Sequence, residues 1–218
     1  MIRLHHCPQT RSMRTLWLLI ELGVTFEVVE HAFGKNLRSA DYLQIAPSGR
    51  VPALEIDGDR MIESGAITEY LCELFPKAGL GRLPGERERR EWLSWIHFAE
   101  TITQHSAALT QQHVALYDPA MRSPIVTKLE AARLGKCFGA LEAALSDGRD
   151  YLLTGGFSAA DISVGQAVYM ARYFARLDGF DQLAAWYARL AARPAFKESL
   201  PERGTELYKQ EFYEVWEG

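Results

Sequence analysis

The chain is poor in cysteine, and what it has is scattered. Cys7, Cys72 and Cys137 are the only three among 218 residues. An odd number at wide spacing builds neither a disulfide framework nor a metal cluster, so no metal is expected. Cys72 and Cys137 fall in helical patterns and read as core or helix-face residues, the usual habit of a free thiol. An excess of either charge is also lacking: 24 lysines and arginines stand against 28 aspartates and glutamates, a net charge of -4. That balance gives no support to a nucleic-acid or anionic-membrane partner. No apolar run approaches the roughly 20 residues of a membrane span. The opening "MIRLHH" goes straight into structure with no basic-then-apolar leader. The expectation is a cytoplasmic protein with no membrane and no nucleic acid among its partners.

What is present changes character once along the chain. Up to about residue 78, strand and helix signals alternate. "IRLHH" and "TFEVVEHAF" read as strands, and "SMRTLWLLIEL" between them reads as a helix stopped by Gly23. A short helix in "SADYLQIAPSGR" ends before Pro47. "VPALEIDGDRMIES" makes two short strands about Asp57-Gly58, a strong hairpin signal. "GAITEYLCELF" is a helix that stops at Pro76. The order β-α-β-α-β-β-α spans residues 1–78 and is followed by a Gly-, Pro- and charge-rich linker over 79–90. From 91 to 218 the pattern is helical. One helix runs through "EWLSWIHFAETITQHSAALTQQHVALY". A second starts at Ser123-Pro124, residues suited to an N-cap and first turn. A third lies in "SAADISVGQAVYMARYFARLDGF", and a fourth in "DQLAAWYARLAARPAF", ended by Pro194. The expected fold class is a small α/β domain followed by an all-helical one.

Three stretches carry candidate chemistry. In "LHHCPQTRSMRTLWLLIELG", a strand enters a helix through a turn holding Cys7, Thr10 and Ser12. Cys7 is the cap if Pro8 is the first helical residue; Thr10 is the cap if the helix starts at Arg11. Either arrangement sets a thiol or hydroxyl over a helix N-terminus, where an anion is stabilised. In "GRVPALE", Pro52 opens a strand, as proline is permitted to do. A cis Val51-Pro52 bond would turn the Val51 backbone outward to pair with an extended peptide. In "IESGAIT", Ser64 is a natural N-cap. With Glu63 beside it, the same position suits the carboxylate and ammonium of an amino-acid head.

These stretches, in this order, resemble the cytosolic glutathione transferases, of a bacterial, serine/threonine, theta-like or related type. The matching pieces are "TRSMRTLWLLIELG", "YLQIAPSGRVPAL", "ESGAITEYL", "GGFSAADISV" and "WYARLAARPAF", and they span essentially the whole chain. The resemblance implies a thioredoxin-like first domain that binds glutathione as co-substrate. It also implies an all-helical second domain that contributes the pocket for a small hydrophobic electrophile, and a homodimer. It implies that Pro52 is cis and that the Val51 backbone pairs with the cysteinyl unit. Glu63 and Ser64 then hold the γ-glutamyl end, and Arg50 lies near the glycyl carboxylate. In "GGFSAADISV" it implies that Ser158 and Asp161 cap a helix reciprocally. The activating hydroxyl of serine-type members lies four residues before a helix arginine. Counted from Arg14, that position is Thr10, with Ser12 and Cys7 as alternatives.

The energetics suit such a site. A free thiol has a pKa of about 8.5, and lowering it by about two units takes about 2.7 kcal/mol of preference for the thiolate. One hydrogen bond to a charged group supplies about 1.5–3 kcal/mol. The helix terminus adds up to about 1 kcal/mol. No general base is needed. Two other functions fit the residues less well. One is thiol-disulfide exchange through Cys7, since "CPQT" is a dithiol motif with its second cysteine replaced. The other is a glutathione-binding protein without turnover. The helical half offers His97, Phe98, Thr101, Gln104, His105, His113, Tyr208, Phe212, Tyr213 and Trp216 as possible pocket residues; none is assigned.

Overall fold

The computed structural model describes residues 1–116, 118–207 and 209–213. The chain divides into two compact units. One comprises Met1–Arg89 with Arg193–Glu206, and the other comprises Arg90–Ala192 with the tail from Leu207.

The first unit contains β1 (Ile2–His6), α1 (Ser12–Leu22), β2 (Phe26–Glu30), α2 (Ala40–Ile45), β3 (Ala53–Ile56), β4 (Asp59–Ile62) and α3 (Ser64–Leu74). The sheet order is β2-β1-β3-β4. β1 and β2 are parallel, joined by the α1 crossover, while β1–β3 and β3–β4 are antiparallel. The Asp57-Gly58 hairpin is as expected, with both residues at positive φ. α1 ends at Gly23 in the left-handed conformation, its amide bonded back to the Ile20 carbonyl. The central strand β1 is buried almost throughout. Side chains alternate across a strand, so the neighbours His5 and His6 point to opposite faces of the sheet. His5 meets His31 and Tyr42 on the α2 side, and His6 meets Ser12 at the start of α1.

The second unit is helical: α4 (Arg89–Val114), α5 (Pro124–Ala144), α6 (Ala159–Ala171) and α7 (Asp181–Ala191). Ser123 caps α5, with Pro124 in the first turn. Every residue of α6 is buried, as befits a helix apolar on most sides that forms a core. The expected capping box is present: the Ser158 hydroxyl accepts from the Ala160 amide, and Asp161 accepts from the Ser158 amide at 3.0 Å. α6 stops at Ala171, short of the expected length, because its bonds tighten to the i+3 type at Tyr173 and Phe174. Pro194 does not close a helix; it opens a short one, α8 (Pro194–Glu198), where a missing amide costs nothing. This last segment belongs to the first unit. Arg193 pairs with Glu21 at 2.6 Å, and Phe196 packs edge-on against Trp17. A four-stranded thioredoxin-like domain followed by a helical one is the fold class the sequence implies.

Candidate active site

Strand register brings the three candidate stretches to one end of the sheet. His5 stands opposite Ala53, and Ala53 stands opposite Ile62. Continuing the ladder by one residue sets His6, Pro52 and Glu63 in adjacent rows. The turn after β1, the entry to β3 and the exit from β4 therefore meet there. α1 and α3 both start at the same edge.

At the β1–α1 junction the helix begins at Ser12, with Arg11 in the cap position and no side-chain cap. Neither Cys7 nor Thr10 is the formal N-cap; Thr10 instead receives the Ser12 amide at 3.4 Å in a local turn. Thr10 is half-buried, and its hydroxyl donates to the Cys7 carbonyl at 2.7 Å. Ser12 is fully buried. Its oxygen accepts the Cys7 amide at 3.0 Å and lies 2.9 Å from the Thr10 hydroxyl, 2.8 Å from His6 Nδ1 and 3.1 Å from the Cys7 carbonyl oxygen. Cys7 is only 2 % exposed, and burial, helped by Glu30, pushes its thiol up to about 11. A thiol so held is neither accessible nor ionised near neutral pH, which disfavours exchange chemistry through Cys7. The turn also contains Gln9 at φ +56°, a backbone region that non-glycine residues enter at some cost.

Burial depresses the His6 imidazole to about 4, against a bond with Ser12 that raises it. The ring is therefore neutral in the folded state where an unfolded histidine, at about 6.5, would already be protonated. Between those two values the unfolded chain binds the extra proton, so stability falls as pH drops. His6 is expected to remove about 2 kcal/mol of stability on going from pH 7 to pH 5. Urea unfolding of the wild type and a His6→Phe variant at both pH values checks this; parallel losses in the two proteins would refute it.

The second cluster lies at the start of α3. Ser64 is the first residue of the helix rather than its cap. Glu63 holds the cap position at φ +71° with no side-chain cap bond. Glu63 is exposed while Ser64 is buried. The Ser64 hydroxyl accepts from Arg14 Nη1 at 3.1 Å. Arg14 is fully buried, so a guanidinium charge is fixed between the starts of α1 and α3. It thus physically couples two of the stretches that the sequence sets fifty residues apart. The third stretch follows α2. The Val51-Pro52 bond is cis, as the resemblance implied. Arg50 is exposed and Val51 half-buried.

Two residues the sequence did not single out shape this loop. Tyr42 donates its hydroxyl to the Arg50 carbonyl at 2.7 Å, and it packs on His31. His31 Nε2 lies 2.9 Å from His5 Nδ1, and His5 Nε2 lies 3.0 Å from Glu55. Hydrogen bonds and one ring contact, between His31 and Tyr42, therefore connect the sheet to the residue before Val51. Gly49 has φ +62°, and a Cβ there would stand 2.8 Å from the Leu37 carbonyl oxygen. The alternation of β1 places His5 and His6 on opposite faces, the one signal in the sequence from which part of this network could have been read.

Among the helical candidates, His105 is paired with Glu130 at 2.6 Å. His113 bonds to the Tyr213 hydroxyl and lies 3.4 Å from Glu211. Phe98 stacks edge-on with Trp95, and Phe212 lies beneath Arg176 at 4.1 Å. Tyr208 and Trp216 lie outside the described residues. Among the described residues no cluster of His, Cys, Asp and Glu could hold a metal, and no helix is long and apolar enough to cross a membrane.

A thioredoxin-like domain with an anion-stabilising edge, joined to a helical domain, defines the class of protein. Comparison with known proteins narrows it. Residues 1–73 match the N-terminal domain of glutathione S-transferase, and residues 94–189 match its C-terminal domain. A glutathione S-transferase of Arabidopsis thaliana is 30 % identical, over 86 % of this chain and 90 % of that protein. Protein LigF of a Sphingobium species is 28 % identical over 88 % of this chain and 89 % of its own. A sphingomonad glutathione S-transferase solved in complex with glutathione superposes with a TM-score of 0.73. It is 28 % identical, covering 91 % of this chain and 96 % of that one. The chain belongs to the glutathione S-transferase family. It is a transferase with glutathione as its co-substrate.

Proposed function

We propose that glutathione lies along the edge where β1 and β4 end and β3 begins, with its sulfur over the start of α1. The Thr10 hydroxyl donates to the thiolate, and Arg14 and the α1 terminus add positive potential. The Val51 backbone pairs with the cysteinyl unit, Glu63 takes the ammonium and Ser64 the carboxylate of the γ-glutamyl end, and Arg50 faces the glycyl carboxylate. The activated sulfur attacks a small hydrophobic electrophile or a peroxide. One observation carries most of this: the Arg14–Ser64 bond at 3.1 Å ties the thiol end of the site to the γ-glutamyl end.

The binding half of the reading is testable without turnover. Glu63→Ala combined with Ser64→Ala is expected to weaken glutathione binding about tenfold or more, since two polar or charge-assisted contacts exceed about 1.4 kcal/mol. Calorimetry on the folded double variant measures this, and an unchanged affinity would sink the assignment.

The protein works as a cytoplasmic homodimer in this reading. Trp92 is 1 % exposed and belongs to the helical core, so it adds nothing to an interface; the support is the habit of the family. Light scattering at micromolar concentration should give twice the chain mass, and a monomer mass would refute the dimer.

A further inference from the structure

We propose that His6 and Ser12 are positioning residues for the activating hydroxyl. They form a one-way hydrogen-bond chain that runs from the His6 ring through Ser12 to Thr10 and ends on the sulfur of glutathione. The inference rests on the assignment of Thr10 above and deepens it.

Proton accounting gives the direction. A hydroxyl has one proton and two lone pairs. Only one arrangement makes hydrogen bonds of the four shortest contacts at once, and in it Thr10 places its proton on the Cys7 carbonyl at 2.7 Å while the 3.1 Å contact of Ser12 with that carbonyl carries no proton. The 2.9 Å contact between Thr10 and Ser12 is then a hydrogen bond only if Ser12 donates. That uses the single proton of Ser12. One lone pair of Ser12 is taken by the Cys7 amide at 3.0 Å. The 2.8 Å contact with His6 Nδ1 is therefore a hydrogen bond only if the ring nitrogen carries the proton. Burial keeps the imidazole neutral, so in this arrangement its one ring proton is on Nδ1.

Local satisfaction of the turn explains the bond of Ser12 with the Cys7 amide. It does not explain a buried imidazole against the same oxygen. When glutathione binds, the Thr10 proton turns from the Cys7 carbonyl to the sulfur, while the Ser12 proton stays on the Thr10 oxygen. Bonds arranged head to tail polarise one another, and each strengthens the next by about 10–30 %. Thr10 is thus a stronger donor than an isolated hydroxyl, and the His6 ring is the fixed start of the chain.

The pKa of bound glutathione, read from thiolate absorbance against pH, tests the chain. Ser12→Ala and His6→Phe should each raise it by about half a unit, roughly threefold in thiolate, with the glutathione Kd changed less than twofold. His6→Asn, whose amide N–H falls near the position of Nδ1, should restore the wild-type value. Both losses should vanish in a Thr10→Val background. If Thr10→Val itself leaves the thiol pKa unchanged, the assignment of Thr10 fails and the chain fails with it. If Thr10→Val raises the pKa while Ser12→Ala and His6→Phe do not, the chain alone is overturned. Nitrogen-15 NMR of the unmodified protein gives an answer that needs no variant to fold. The His6 ring should be the Nδ1–H tautomer, and an Nε2–H ring would reverse the direction and end the proposal.

Discussion

Replacing Thr10 by valine should raise the pKa of the bound glutathione thiol by one to two units from about 6.5, and lower turnover at pH 7 about three- to twenty-five-fold through the loss of thiolate. The substitution keeps the shape of the side chain and removes the hydroxyl. A hydrogen bond to a charged acceptor is worth about 1.5–3 kcal/mol, and one pKa unit corresponds to about 1.4 kcal/mol. Part of that gain is offset, because the Thr10 proton rests on the Cys7 carbonyl at 2.7 Å before it reaches the sulfur. Thr10→Ser should retain or improve activity. The affinity for glutathione should change much less than turnover, since the role proposed for the hydroxyl is on the thiolate and not on the peptide ends. A thiol pKa that stays put in Thr10→Val, with turnover intact, would remove Thr10 from the chemistry. Cys7→Ala should cost less than tenfold, because its thiol is buried and protonated.

Asp161→Ala should destabilise the protein by about 3–5 kcal/mol, the range for breaking a buried charged network. The carboxylate is fully buried at the start of α6. One oxygen accepts from the Leu152 amide at 2.9 Å and the Trp186 indole at 3.0 Å, and the other accepts from the Ser158 amide at 3.0 Å. Burial pushes its pKa up while these bonds pull it down. Alanine would leave three buried N–H groups without their acceptor, at about 1–3 kcal/mol each before relaxation. Asp161→Asn keeps one carbonyl acceptor and should lose less. Urea denaturation of the three proteins gives the comparison. A loss under about 1 kcal/mol in Asp161→Ala would show that water or neighbouring groups replace the carboxylate.

The sequence by itself determined most of the local structure, because the signals are local. Gly23 ends α1 for want of a Cβ that would clash at positive φ. Asp57-Gly58 makes a two-residue hairpin for the same reason. Ser123-Pro124 and Ser158 with Asp161 start helices by satisfying amides a few residues away. These features also place the three candidate stretches on elements of known type.

The tertiary structure decided which residues face one another. Nothing local states that the Arg14 guanidinium reaches Ser64 across fifty residues. Tyr42 holds the Arg50 carbonyl through a side chain that only packing of α2 aims there. The caps are Arg11 and Glu63 instead of Cys7 or Thr10 and Ser64: the Thr10 hydroxyl turns back to the Cys7 carbonyl, and the Ser64 hydroxyl is taken by Arg14. Thr10, Ser12 and Cys7 are equivalent in sequence, as polar groups within one turn. Burial separates them: it seals Cys7 and Ser12 inside and leaves Thr10 half open. Which of three neighbouring groups meets a ligand depends on the water each has lost, and that is set by residues from every part of the first unit.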